Sequence, residues 1–515
     1  MRSLAVIGRV LEKFDERGRP VWHEGMLVED GVVSYLGPEP ESRASRGVDV
    51  IRVETGVVLP GFTDSHAHVA HLGLSLDMLD LRNVNSIEEL KRLVSAKAKE
   101  LGPGRWILGR GWDQELFKEG RWPNRHDLDE AAPRNPVLLV RVCGHAAVAN
   151  TLALSLTGID DSTPDPPGGL IEKREGKITG VLKEAAVGLI SSFVRREGLE
   201  KHVVKAQEAL LSSGVTCVHA MSVDERELEA LSKLASEGKL RVRIRSYIDF
   251  SVPQFDFIKT GFLNIVGLKV FVDGSFGART ASLREPYADD PSTNGILLMS
   301  SNEIAKALLL AEKLGLQLAV HAIGDKALEE VVSAAKSSKG GVRVEHASLA
   351  PPDLIEELSE LSLPVSTQPR FVLSDWWIVS RLGRERTRWA YPFKSFLTHA
   401  IPVSFSSDAP VEPCNPWEGV YAAVTRGRWE GLEIARITSS EVLSVEEAIR
   451  CYTETGPKIL GENLGKLSVG CPADFVIVDR DPFKVPEREL RNVRVLATYV
   501  EGVEVYRTQG SHLHP

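Results

Sequence analysis

Two histidines spaced two apart, in Leu59-Pro60-Gly61-Phe62-Thr63-Asp64-Ser65-His66-Ala67-His68, are the first residues of this chain that could do chemistry together. On a strand, residues i and i+2 share a face, so both imidazoles can reach one site and share a metal ion. Three further apolar stretches end in a metal-capable group: Gln317 to His321, Val342 to His346 and Val403 to Asp408. A lone histidine at a strand end is ordinarily a packed or surface residue. Four histidines and an aspartate, all at carboxyl ends of strands in one barrel, point instead to a shared metal site. Lys269, in Gly267-Leu268-Lys269-Val270-Phe271-Val272-Asp273-Gly274, is the odd residue of its segment. A lysine inside an apolar strand snorkels, pairs with a carboxylate or is chemically modified. Asp273 lies on the same strand face and offers a plain ion pair. Beside two cations, however, a free ammonium would be repelled, and carboxylation by CO2 would turn the lysine into an anionic bridge.

The elements that must position these groups are short apolar strands alternating with helical patterns. Strands are expected at Val215 to Ala220, Leu240 to Asp249, Val266 to Asp273, Gln317 to Ala322, Val342 to Ala347, Pro364 to Gln368 and Val403 to Asp408. Continuous apolar strands joined by helices imply a parallel sheet covered on both faces. Seven or eight such units favour an α/β fold of the distorted (β/α)8 TIM-barrel type, spanning residues 60–464, whose active face lies at the carboxyl ends of the strands. Residues 1–59 and 465–515 read as short strands separated by turn residues, too few at either end to make a stable sheet alone, and are expected to pair as a discontinuous β-sandwich domain. Residues 76–200, rich in Gly, Pro and Trp, read as a subdomain inserted after barrel strand 1 and as a candidate lid.

Composition bounds the partners. The chain has 515 residues, 43% of them hydrophobic, with 62 Lys and Arg against 71 Asp and Glu. That is a core-forming composition far from the disordered class. A net charge of -9 without a basic block argues against nucleic acid or an anionic membrane as the main partner, and favours a small-molecule substrate. Five scattered cysteines without a CxxC pair suit a reducing compartment, and no leader or membrane span is expected, so the expected location is cytoplasmic. A homo-oligomer is compatible with all of this.

Taken in order, several segments resemble the amidohydrolase superfamily, in its branch of large metal-dependent hydrolases that includes N-substituted formamide deformylases. They are Gly61 through His68, Gly111-Trp112-Asp113, Gly144-His145 with Asn150, Asp273-Gly274-Ser275 with Arg279-Thr280-Ala281, His321 through Ala327, Val344-Glu345-His346-Ala347, and Ser407 through Val411. The resemblance runs over nearly the whole chain. It implies His66 and His68 on the more buried metal, Lys269 as a carboxylated bridge, His321 and His346 on the second metal, and Asp408 as ligand and proton shuttle. Two divalent ions are implied, zinc first, with iron, cobalt, nickel or manganese as alternatives. Such ions lower the pKa of water to roughly 7, so that hydroxide is available at neutral pH.

The function expected is hydrolysis of a C–N bond, of amide type and other than a peptide bond, in a small molecule. Ester, lactone or carbamate hydrolysis would use the same site. A mononuclear deaminase shares part of the ligand set, and a scaffold that has lost catalysis is the non-enzymatic alternative. Trp112, Asp113, His145 and Arg279 are carried as substrate contacts because related segments approach the active site. Trp376, Trp377 and Tyr391 are candidates for an apolar wall. His71 and His219 are read as neighbours.

Overall fold

The computed structural model describes residues 3–44, 47–82, 84–141, 146–166, 169–194, 198–252, 254–336 and 341–510. Eight parallel strands form a nearly closed barrel. In chain order they are Phe62–Ala67, Val215–Val223, Arg243–Asp249, Leu263–Phe271, Gln317–Ala322, Val342–His346, Val365–Thr367 and Val403–Phe405, each bonded to the next. Their residues are buried almost throughout, as strands covered on both faces require. Between the eighth strand and the first there is no regular ladder. Closure there rests on Asp408 N–H donating to His66 O (2.7 Å) and His68 N–H donating to Ala409 O (2.8 Å). The Asp64 carboxylate adds to it by accepting from the backbone N–H and hydroxyl of Ser407.

Helices follow the strands where capping residues start them. Asp224 caps the helix Glu225–Ser236 after the second strand, accepting from Glu227 N–H, and Leu228, Leu231 and Leu234 of that helix are buried. Ser300 and Glu303 form a reciprocal cap on Ser301–Lys313, which leads into the fifth strand.

Four strands end earlier than the apolar runs predict, the sixth by one residue, at His346 rather than Ala347. The fourth stops at Phe271, short of Asp273, because the Asp273 carboxylate accepts from the backbone N–H groups of Ser282, Ile323 and Gly324 and draws its segment into a loop. The seventh and eighth end at Thr367 and Phe405, where Gln368 and Asp408 turn away from the ladder.

Strands from both ends of the chain make one eight-stranded mixed sheet. Ser3–Phe14, Pro20–Glu29, Val32–Leu36, Val48–Arg52 and Val57–Pro60 join Phe475–Val478, Val495–Val500 and Val503–Arg507 through the antiparallel pairing of Val57–Pro60 with Phe475–Val478. Val6, Val10, Met26, Val28, Val58, Ile477 and Ala497 share its buried cluster, where Phe475 stacks on Tyr499. This sheet feeds the site directly, since Val57–Pro60 runs through Gly61 into the first barrel strand. A Cβ at Gly61 would lie 2.2 Å from Thr216 Oγ1, so the crossing demands glycine. Asp474 ties sheet to barrel, with its carboxylate accepting from Arg243 Nε and Nη2 (2.6 and 3.1 Å).

Residues 73–202 form a second compact unit. Its six-stranded sheet runs Gly169–Arg174, Lys177–Glu184, Ala146–Ala149, Val137–Arg141, Ile107–Trp112 and Leu79–Asp80. Ile87, Leu90 and Val94 of the helix Ile87–Leu101 pack into its core.

Candidate metal centre

The carboxyl ends of the first, sixth and eighth strands bring His66, His346 and Asp408 together, with one ligand atom from each lying within 4.8 Å of the others. His66 Nε2 and His68 Nε2 lie 3.4 and 3.3 Å from the same Asp408 oxygen, Oδ1. The His346 ring is 4.9 Å from that of His66 and 4.4 Å from that of His321, so the fifth strand delivers its histidine to the same cluster. Backbone conformation contributes to this aim. His346 and Asp408 both adopt left-handed φ values, 72° and 56°, which non-glycine residues hold only when their surroundings impose them.

Each histidine has one nitrogen already engaged. His66 Nδ1 donates to Glu345 Oε2 (2.6 Å), and Glu345 Oε1 accepts from Arg343 Nε (2.6 Å). Arg343 also donates to His219 Nδ1 and Ser65 O, so a fully buried guanidinium anchors the pair. His346 Nδ1 meets Gln368 Oε1 (2.7 Å), His68 Nδ1 meets Met221 O (3.1 Å), and His321 Nε2 meets Gly274 O (3.0 Å). Held in this way, each imidazole has a second nitrogen to offer a cation, and those of His66 and His68 face Asp408 Oδ1. Burial also pushes His66, His321 and His346 well below the usual histidine pKa, so they are neutral and able to coordinate. Burial alone would raise Asp408, but His66, His68 and Lys269 outweigh it and hold the carboxyl below its usual range.

Lys269, on the fourth strand, is 1% exposed, and its Nζ has no hydrogen-bond partner. The ion pair with Asp273 does not form, because that carboxylate is taken up by backbone N–H groups. Lys269 Nζ lies 5.0 Å from the centroid of the Phe271 ring. Burial lowers the ammonium to about 8. An unpartnered buried amine among three neutral imidazoles and an ionised carboxylate is a donor set that fits divalent cations bridged by a modified lysine.

The remaining sequence candidates are distributed differently. Trp112 is fully buried in the core of the 73–202 unit, packed on Phe117 and Trp122, with Nε1 donating to Leu139 O; it acts there as a packing residue. Asp113 accepts from Arg141 (2.7 Å). His145 lies outside the described residues. Arg279, in the loop after the fourth strand, is engaged by Asp289, which Arg381 also contacts. Tyr391 donates to the partly buried Asp375 and fixes its loop, whereas Trp376 is largely exposed. The His71 ring lies tilted beside that of His68, with centroids 6.0 Å apart, and His219 supports Arg343.

Sequence reasoning missed Glu345, Arg343, Gln368 and two phenylalanines. Phe371 lies parallel to the His346 ring at 6.3 Å, and the partly exposed Phe271 is 5.2 Å from His321. A signal for the first two exists: Arg343 and Glu345 are opposite charges two apart in an otherwise apolar strand, hence on one face.

Known proteins resemble this chain over most of their length. The amidohydrolase family pattern matches residues 50–506. The chain is 32% identical to the protein YtcJ of Bacillus subtilis (strain 168), over 94% of this chain and 96% of that one. It is 28% identical to the N-substituted formamide deformylase of Arthrobacter pascens, over 99% of each. Among solved structures, a metal-dependent hydrolase from Pyrococcus horikoshii OT3 superposes with a TM-score of 0.84 at 36% identity, covering 94% of this chain and 99% of that one. With that match and the cluster of neutral histidines around Asp408, the chain belongs to the amidohydrolase family and is a metal-dependent hydrolase of amidohydrolase type.

Proposed function

We propose that this hydrolase cleaves an amide-type C–N bond, other than a peptide bond, in a small molecule, with N-substituted formamides as the first class to test. The observation that carries the reading is the convergence of His66, His68 and His346 on Asp408 beside the unpartnered Lys269 amine. His66, His68 and Asp408 would hold one divalent ion and His321 and His346 a second, both zinc in the first instance, with Lys269 between them as its carbamate. The carbamate forms when the neutral amine attacks CO2 and releases a proton, and burial favours that neutral form. Ions bound there supply acidified water and a polarised carbonyl.

The protein's own groups do the rest. Asp408, held ionised, accepts the proton of the attacking water and returns it to the leaving nitrogen, acting first as base and then as acid. Phe271 and Phe371 flank His321 and His346 and offer apolar surface to the group carried on carbon or nitrogen. Arg279 and Asp113 remain proposals as contacts for the distal part of the substrate. Unpaired cysteines at 217, 414, 451 and 471 support a reducing, cytoplasmic setting.

The test is amine release from a panel of N-substituted formamides and other amides, run beside the matching esters, with metal-loaded protein. Amine release that disappears in His66→Ala supports the reading. Ester cleavage with no amide or formamide cleavage overturns it.

A further inference from the structure

Two histidines of the cluster, His66 and His346, are held through Nδ1 by side chains, while His68 and His321 are held by backbone carbonyls. The two side chains differ in charge. Behind His66 stands the Glu345 carboxylate, fixed by Arg343, which spends its other donors on His219 Nδ1 (2.7 Å) and Ser65 O (2.9 Å). Behind His346 stands the neutral amide of Gln368. Its orientation is set by Ser406: Gln368 Nε2 donates to Ser406 Oγ (2.9 Å), and Ser406 Oγ donates in turn to Thr367 O (3.3 Å). That leaves Gln368 Oε1 facing His346 Nδ1 at 2.7 Å, so the ring carries its proton on Nδ1 and directs the lone pair of Nε2 into the cluster. Every member of both chains is buried.

A carboxylate acceptor makes an imidazole a stronger donor to a cation than an amide acceptor does, because the hydrogen bond is charge-assisted. We infer that Gln368 is a positioning residue that fixes the His346 tautomer and leaves the ion held through His346 the more weakly bound of two, while Glu345 makes the ion held through His66 the tighter. The inference rests on the two-ion reading proposed above. Nothing in the packing requires an amide at 368 for its own sake: the residue lies at the end of the seventh strand, and both its polar atoms are used in this one chain of contacts.

The experiment is graded chelator dialysis of the zinc-loaded protein, with residual zinc counted by elemental analysis and folding followed by thermal midpoint. Wild type should release its ions in two steps. Gln368→Met, which keeps the volume and removes the acceptor, should weaken only the earlier step, by about 10- to 100-fold. Gln368→Glu, which restores an acceptor at the same place, should return that step to the wild-type position or beyond. Ser406→Ala, which removes only the hydroxyl that orients the amide, should move the same step in the same direction by less, and it stands in if Gln368→Met does not fold. Two ions that leave wild type, Gln368→Met and Ser406→Ala at the same chelator concentrations would overturn the inference alone. A wild-type protein that loads a single ion or none would overturn the two-ion reading and this inference with it.

Discussion

A carboxylate that must take a proton from water has to be ionised when water arrives; positive charge at His66, His68 and Lys269 lowers the Asp408 carboxyl despite its burial, and divalent ions bound there would do the same where Lys269 is a carbamate. Asp408→Asn keeps shape and loses that base, so kcat should fall by about 100- to 10,000-fold while the thermal midpoint changes little; an active Asn variant would assign the proton transfer elsewhere. Asp375 behaves in the opposite way. Burial raises it from the usual 3.8 to about 7, with the Tyr391 hydroxyl opposing. The folded protein therefore holds a proton that the unfolded chain has lost, and stability declines as pH rises from about 4 to about 7. Asp375→Asn still accepts from Tyr391 and should flatten this decline in a pH series of thermal midpoints. An unchanged slope would contradict the protonated state of Asp375. Single residues differed in how far sequence could identify them. His66 and His68 are legible because a spacing of two on a strand dictates a shared face. Gln368 is not, because an amide before a proline reads as a turn until the partner strands bring Ser406 and His346 beside it.

The candidate ligands come together because strand ends are fastened to each other. Asp64 binds Ser407, Asp273 binds three backbone N–H groups, and the short first-to-eighth closure runs through the backbone of His66 and Asp408 themselves. Alternation of apolar strands and helices made the barrel readable. The ends of its fourth, seventh and eighth strands were not, because side-chain carboxylates and amides compete there with ladder bonds, and apolar periodicity carries no trace of that competition. Gly61 is the tightest crossing between the terminal sheet and the barrel. Gly61→Ala would press a Cβ onto Thr216 Oγ1 and Cγ2, and should destabilise the fold by about 1–3 kcal/mol in denaturant titrations. A variant as stable as wild type would mean that the second strand gives way freely at Thr216.

Across the molecule, strands from the two ends of the chain are joined in one sheet that leads into the first barrel strand, and candidate ligands spread over several barrel strands would couple ion binding to the fold of the barrel. A ligand that binds only the folded state stabilises it by mass action. Removing the ions with chelator should therefore lower the thermal midpoint as well as abolish turnover, and adding back a divalent ion should restore both. A sandwich was expected from the scarcity of strands at each chain end, and the structure joins those strands in one mixed sheet. The packing role of Trp112 was not legible, since the string Gly111-Trp112-Asp113 does not reveal that its indole faces inward onto Phe117 and Trp122. Among the described residues no helix is long and apolar enough to cross a membrane.

The proposed paired metal centre bridged by Lys269 is decided by the ion content per chain of wild type and Lys269→Ala, together with NMR of wild type exposed to isotopically labelled bicarbonate. Two ions in wild type, a labelled carbamate on Lys269 and ion loss in the variant are expected. One ion or none in wild type, with an unlabelled lysine and an unchanged count in Lys269→Ala, would overturn the proposal.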